Sequence, residues 1–91
     1  MEYEWDEIKR FANLRKHGID FIDVPSVLGG EIVTVEDDRY SYGEQRFVTF
    51  GLLQEQVIAV VHVDREDCTR IISARKATKY EQRTYFEQLS N

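Results

Sequence analysis

The chain predicts an α+β domain: an antiparallel β-sheet with two N-terminal helices and one C-terminal helix, in the order β-α-α-β-β-β-β-α. Three observations point there. Residues 6–28 carry helical spacing with helix-ending signals, and residues 31–74 change to period-two alternation broken by short polar turns. Thr78 and Glu81 then stand at the spacing of a capping box, which opens a last helix. At 91 residues, one domain covering residues 1–91 is expected.

Glu2 to Trp5 reads as a short first strand, and Asp6 as the cap of the first helix. In that helix Ile8, Phe11, Ala12 and the stem of Arg15 recur at i, i+3, i+4 and i+7, the spacing of a buried stripe. Lys9, Asn13 and Lys16 share another face, which His17 extends. That polar stripe suits either a ligand or plain solvent. Gly18 is the expected left-handed residue after the helix, where the dipole also favours His17 for purely structural reasons. Asp20 opens a second helix running to about Val27; Pro25 predicts a kink or a later start, since it lacks an N–H. Gly29-Gly30 closes it.

A strand begins at Glu31, with Ile32 and Thr34 alternating against Val33 and Val35. Glu36-Asp37-Asp38-Arg39 breaks it, and Tyr40-Ser41-Tyr42-Gly43 continues the turn. Gln45 to Leu53 is the next strand, joined through Gln54-Glu55-Gln56 as an antiparallel hairpin to Val57–Val63. That last run is apolar on both faces, as a central strand covered on each side should be, and His62 interrupts it. Asp64–Thr69 turns the chain into Arg70–Ala74, where alternation places Arg70, Ile72 and Ala74 opposite Ile71, Ser73 and Arg75. Arg75 and Lys76 fall in the connection to the last helix, which begins near Lys79. Its N-terminus favours an anion there, although a solvated turn fits equally. Tyr85 is left between the core and the rim.

The lone Cys68 excludes an internal disulfide and a cysteine-based zinc site. No apolar run approaches the roughly 20 residues needed to span a bilayer. Met1-Glu2-Tyr3-Glu4-Trp5-Asp6 is acidic where a secretory signal would be basic, so a cytoplasmic protein is expected. The formal net charge of −5 argues against nucleic acid, because phosphate neutralisation dominates such binding. The distribution argues the other way: residues 9–17 and 70–83 together hold nine of the 12 cations and one of the 17 acids. Those windows would make a local positive face if they meet in space.

No metal-ligand spacing, Gly-rich phosphate loop or activated Ser or Cys is present. The remaining chemistry, several Arg and Lys with two His, suits metal-independent cleavage of RNA. A base takes the 2′-OH proton, cations hold the charge on phosphorus, and an acid protonates the leaving 5′ oxygen. Histidine, with an ordinary pKa near about 6.5, serves as either acid or base, and arginine offers phosphate a planar pair of donors.

Trp5-Asp6, Lys9, Asn13, Lys16-His17-Gly18 and Phe21 resemble the N-terminal pattern of BrnT-type toxins. Arg70-Ile71-Ile72-Ser73-Ala74-Arg75-Lys76-Ala77 with Glu81 and Tyr85 resembles their C-terminal signature. Between them, Tyr42-Gly43-Glu44-Gln45-Arg46-Phe47 and Val61-His62-Val63-Asp64-Arg65 fall in the same order. The resemblance implies a RelE-like ribonuclease fold and the toxin of a type II toxin-antitoxin module, a cofactor-free endoribonuclease that arrests growth. It also implies a ribbon-helix-helix, BrnA-like antitoxin, a heterotetramer built on an antitoxin dimer, and access to operator DNA only through that antitoxin. Carried onto this chain, it makes Lys16, His17, His62, Arg65 and Arg75 catalytic. Lys9, Asn13, Arg46, Arg70, Lys76 and Tyr85 become substrate-binding. An alternative, motivated by the acidic net charge, is an antitoxin-binding co-repressor without catalysis. The ribonuclease expectation is geometric: the start of the last helix and the polar stripe of the first must face one cleft.

Overall fold

The computed structural model describes residues 2–38 and 43–90, so the turn expected at Tyr40–Tyr42 lies outside the described residues. Strand β1 (Glu2–Glu4) precedes helix α1 (Glu7–His17), a 3₁₀ turn (Phe21–Asp23) and helix α2 (Val24–Leu28). Strands β2 (Val33–Asp37), β3 (Arg46–Leu53), β4 (Gln56–Asp64) and β5 (Cys68–Lys76) follow, and helix α3 (Lys79–Ser90) ends the fold. Among the described residues, no helix is long and apolar enough to cross a membrane.

The five strands lie in the order β1-β5-β4-β3-β2. Strands β2 to β5 form the expected antiparallel meander. β1 corrects that expectation, because it pairs parallel to β5 from Glu2↔Cys68 to Glu4↔Arg70 and makes the sheet mixed. Three residues are too few for alternation to declare a direction, and the open edge of β5 takes whichever strand the chain can return to it.

Side chains of β4 divide the core. Ile58 and Val60 pack with Ile19, Phe21, Val24, Val27, Ile71 and Ala74 under α1 and α2. Val57 and Ala59 pack with Val48, Phe50, Ala77 and Tyr85 under α3. Gly51 makes the first layer possible, since a Cβ there would lie 2.6 Å from the Val27 side chain. Gln54 and Glu55 both take positive φ in the tight β3–β4 hairpin, the conformation such two-residue turns require.

Asp20 caps the 3₁₀ turn through the Ile22 N–H, and Pro25 enters the first turn of α2. The second helix therefore starts later than Asp20, where a missing N–H costs nothing. A bulge between β4 and β5 also overturns the simple alternation: Val61 pairs with Ser73 and His62 with Ile71, skipping Ile72. Ile71 and Ala74 consequently share the α1 side. Arg70, opposite Val63, and Arg75, opposite Ala59, share the α3 side instead of lying on opposite faces.

Helix α1 is turned over relative to its apolar pattern. Ile8 and Phe11 are 81% and 55% exposed, while Asn13 is buried to 7%. The cause lies at the edge of β5. Because β1 stops at Arg70, the backbone of Ala74 has no strand partner on that side. The Asn13 carboxamide replaces one, accepting from the Ala74 N–H at 3.1 Å and donating to the Ala74 carbonyl at 2.9 Å. It also reaches the Ile19 carbonyl at 3.0 Å. Leaving those buried backbone groups unmade would cost more than exposing an isoleucine.

Candidate functional site

β5 continues past its last ladder pair through an Ala77 N–H bond to the Val57 carbonyl, then gives way to α3. The capping box forms as the sequence predicts: Thr78 N–H donates to Glu81 Oε1 at 2.9 Å, and Glu81 N–H donates to Thr78 Oγ1 at 3.2 Å. Glu81 also receives both arms of the Arg75 guanidinium, at 2.8 and 3.0 Å. The Arg75 bonds are the main reason the Glu81 carboxyl titrates below its ordinary range, ahead of those from Thr78. Arg75 is thus held rigid, its fork aimed along the start of α3.

Helix α1 ends with Arg15, Lys16 and His17 in its last turn, followed by Gly18 at φ 74°. Asn13, one turn earlier, fastens this end of the helix to Ala74, the neighbour of Arg75. As a result Lys16, His17, Arg75, Lys76 and Thr78 line one cavity of about 550 Å³. The first and last segments of the chain do face a common cleft. Among the described residues, no carboxylate pairs with Lys16, His17 or Lys76. The backbone N–H groups opening α3 add partial positive charge at the same place. Such a cavity can hold an anion, and His17 can move a proton beside it.

The other predicted residues are placed elsewhere. Lys9 is exposed two turns before Lys16, and Asn13 is consumed by its three backbone bonds. His62 is 5% exposed on the α2 side of the sheet. Its Nε2 lies 2.7 Å from Thr49 Oγ1, which lies 2.8 Å from Thr34 Oγ1, and its Nδ1 lies 2.8 Å from Asp64. Phe47 stacks on the ring at 5.9 Å. This chain borders a separate cavity of about 170 Å³ with Tyr3, Leu28 and Ile32. Tyr85, on the inner face of α3, is fully buried and donates to the Glu31 carbonyl at 2.8 Å, with burial raising its hydroxyl's pKa.

Three arginines gather near the Cys68 end of β5. Arg65 lies 3.0 Å and Arg70 3.6 Å from Glu4, and Arg46 lies 3.9 Å from Glu44. Six strand positions separate Thr69 from Arg75, roughly 20 Å along β5, so Arg65 and Arg75 cannot touch one phosphate. Arg46 and Arg70 flank Val63 on the face that also carries Arg75. Thr78 was legible only as a cap, and nothing in its spacing announced that it would line the cavity. Among the described residues, no three His, Cys, Asp or Glu side chains stand close enough to hold a metal ion.

Residues 5–81 match the family model described as the ribonuclease toxin, BrnT, of type II toxin-antitoxin systems. No curated protein matches the chain.

Proposed function

The chain belongs to the BrnT family of ribonuclease toxins of type II toxin-antitoxin systems, and on that premise we propose that its reaction takes place in the cavity between α1, β5 and α3. The observation that carries this reading is the meeting of Lys16 and His17 with Arg75 and Lys76 around one cavity. The reaction is metal-independent endonucleolytic cleavage. Lys16 and Lys76 hold the scissile phosphate. His17 takes the proton from the 2′-OH as that oxygen bonds to phosphorus. Arg75, oriented by Glu81, faces the charge that accumulates on the phosphoryl oxygens. The bond to the 5′ oxygen breaks, this oxygen takes a proton from solvent, and a 2′,3′-cyclic phosphate remains. Arg46 and Arg70, on the same face as Arg75 but already facing Glu44 and Glu4, take flanking phosphates only by exchange.

On this reading the single domain has a RelE-like ribonuclease architecture, acts in the cytoplasm without a cofactor, and arrests growth when its antitoxin is missing. The type II system implies a protein antitoxin. We assign it to the ribbon-helix-helix class, an antitoxin dimer binding two toxins and carrying them to operator DNA.

The test is single-turnover cleavage of a model RNA in EDTA by protein freed of contaminating nuclease. Wild type is expected to cleave with unchanged rate in the chelator. His17→Ala should slow the step by about 10²–10⁴, the usual worth of a placed proton transfer. His62→Ala, whose ring faces Thr49 and Asp64, should stay within about tenfold once folded protein is normalised. Cleavage that dies in EDTA, or that His17→Ala leaves intact, overturns the proposal.

A further inference from the structure

The outer face of α1 is left largely exposed, with the Arg10 guanidinium lying 4.8 Å over the Phe11 ring, and the reaction just described does not use it. Ile8, Phe11 and Leu14 are exposed along it, with Ala12 between them. Ile22 is 55% exposed on the 3₁₀ turn, and Arg10 holds that turn against α1 by bonding Asp20 at 2.8 Å. The apolar spacing is that of a buried helix face, yet the side turned to the sheet is the one bearing Asn13. A continuous apolar stripe on the surface marks a contact made with another molecule.

The borders of the stripe state what kind of molecule. Lys9 and Lys16 flank it, Arg15 stands on it one turn after Phe11, and no acid occurs from Ile8 to Ile19. Glu7, the one acid of α1, is taken up by Arg10 at 2.7 Å and by the Trp5 indole N–H at 3.1 Å. The complement of such a surface is an amphipathic segment with an apolar face and acidic flanks. The exposed aromatics of α3, Tyr80 and Phe86, have no such charge bias, since Arg83 and Glu87 lie beside Phe86.

We propose that the outer face of α1 is the surface the antitoxin covers, through an acidic amphipathic segment lying along Ile8, Phe11 and Leu14. The inference rests on the toxin reading. It adds a mechanism of neutralisation: the stripe runs toward Lys16 and His17, so an acidic side chain at the end of that segment reaches the cavity and occupies the place of the scissile phosphate.

The experiment uses the toxin and the antitoxin encoded with it, purified as a complex and as separate proteins. Phe11→Glu and the double variant Ile8→Glu/Phe11→Glu change exposed positions outside the cavity, so free protein should melt and cleave RNA as wild type does. Antitoxin affinity should fall by at least about 30-fold, as for a central contact in an interface. Amide exchange across residues 8–15 should slow in the wild-type complex. Wild-type affinity in the double variant, with exchange protection on α3 instead, overturns the proposal. So does concentration-dependent self-association that Phe11→Glu abolishes while antitoxin binding is unchanged, which would make the stripe a contact between copies. Binding through α1 by a chain that never cleaves RNA would defeat the ribonuclease reading and leave this surface standing.

Discussion

At the Cys68 end of β5, Arg65 and Arg70 both reach Glu4, and Arg46 lies 3.9 Å from Glu44. At the Lys76 end, Lys16, His17 and Lys76 border a cavity, and Arg75 shares its charge with Glu81. The two ends are equally rich in cations and differ in what the fold has already given them. Cations that hold carboxylates can take a phosphate only by exchanging one anion for another, and the exchange returns little. Cations facing a cavity, with a helix N-terminus alongside, gain a partner outright. Partnership, more than cation number, separates Lys16 and Lys76 from the rest of the basic surface, whereas Arg75 is as occupied by Glu81 as any arginine at the other end. Arg10 makes the same point inside α1: it belongs to the basic window, but Asp20 and Glu7 occupy it and hold its guanidinium firmly protonated.

The largest expected effect comes from the residue that keeps Lys16 and His17 at the cavity. Asn13→Ala leaves the Ala74 N–H and carbonyl and the Ile19 carbonyl without their buried partner. Stability should fall by roughly 2–4 kcal/mol, read from urea unfolding. RNA cleavage at a temperature where the variant is folded should fall as well, because α1 is no longer fastened beside Arg75. A variant that loses stability but cleaves at the wild-type rate would show that the α1 end does not contribute to the site, and the contrast between the two ends of β5 would collapse.

Glu81→Gln acts next, and its sign depends on pH. Arg75 and the capping bonds hold the folded carboxyl below its ordinary pKa. Its contribution to stability is therefore present above the unfolded value, about 4.3, and is lost as pH falls through the lowered folded value. The variant should be less stable than wild type by about 1–2 kcal/mol at pH 7, with the gap closing as the wild-type carboxyl takes up its proton in acid. Releasing Arg75 from its carboxylate should at the same time tighten RNA binding by a few-fold. Weaker binding instead would mean that Glu81 serves by aiming Arg75, which sharpens the comparison from charge to orientation.

These contrasts were partly visible in the sequence. Long alternating strands and the capping box declare themselves locally, and segregated cations in two windows pointed to one basic site. Two facts were hidden because each depends on how neighbouring strands pair. The short β1 leaves Ala74 bare, and only then does a mid-helix Asn outrank Ile8 and Phe11 for the buried side. The bulge at Ile72 puts Arg70 and Arg75 on one face, and an extra residue in an otherwise regular strand carries no local mark. His62 suits a proton carrier on histidine's ordinary chemistry and on the resemblance alone. Its burial against Thr49 and Asp64 emerges only when β3 and β5 flank it.

The smallest effect belongs to Arg65→Ala. Its partner Glu4 and its own side chain are 40% and 54% exposed, and exposed ion pairs of this kind contribute about 0–1 kcal/mol. Cleavage should stay within about threefold of wild type, and the salt dependence of RNA binding should not change. Lys16→Ala, beside it in the same titration, should lower the slope of log affinity against log salt by about 0.7, one phosphate contact on a single strand. The pair of variants is informative because both remove one positive charge from the same acidic protein, so a general field effect would move them equally. If Arg65→Ala flattens the slope and Lys16→Ala does not, RNA displaces Glu4 and runs over the Cys68 end of the sheet. The cavity at the other end would then serve the antitoxin alone.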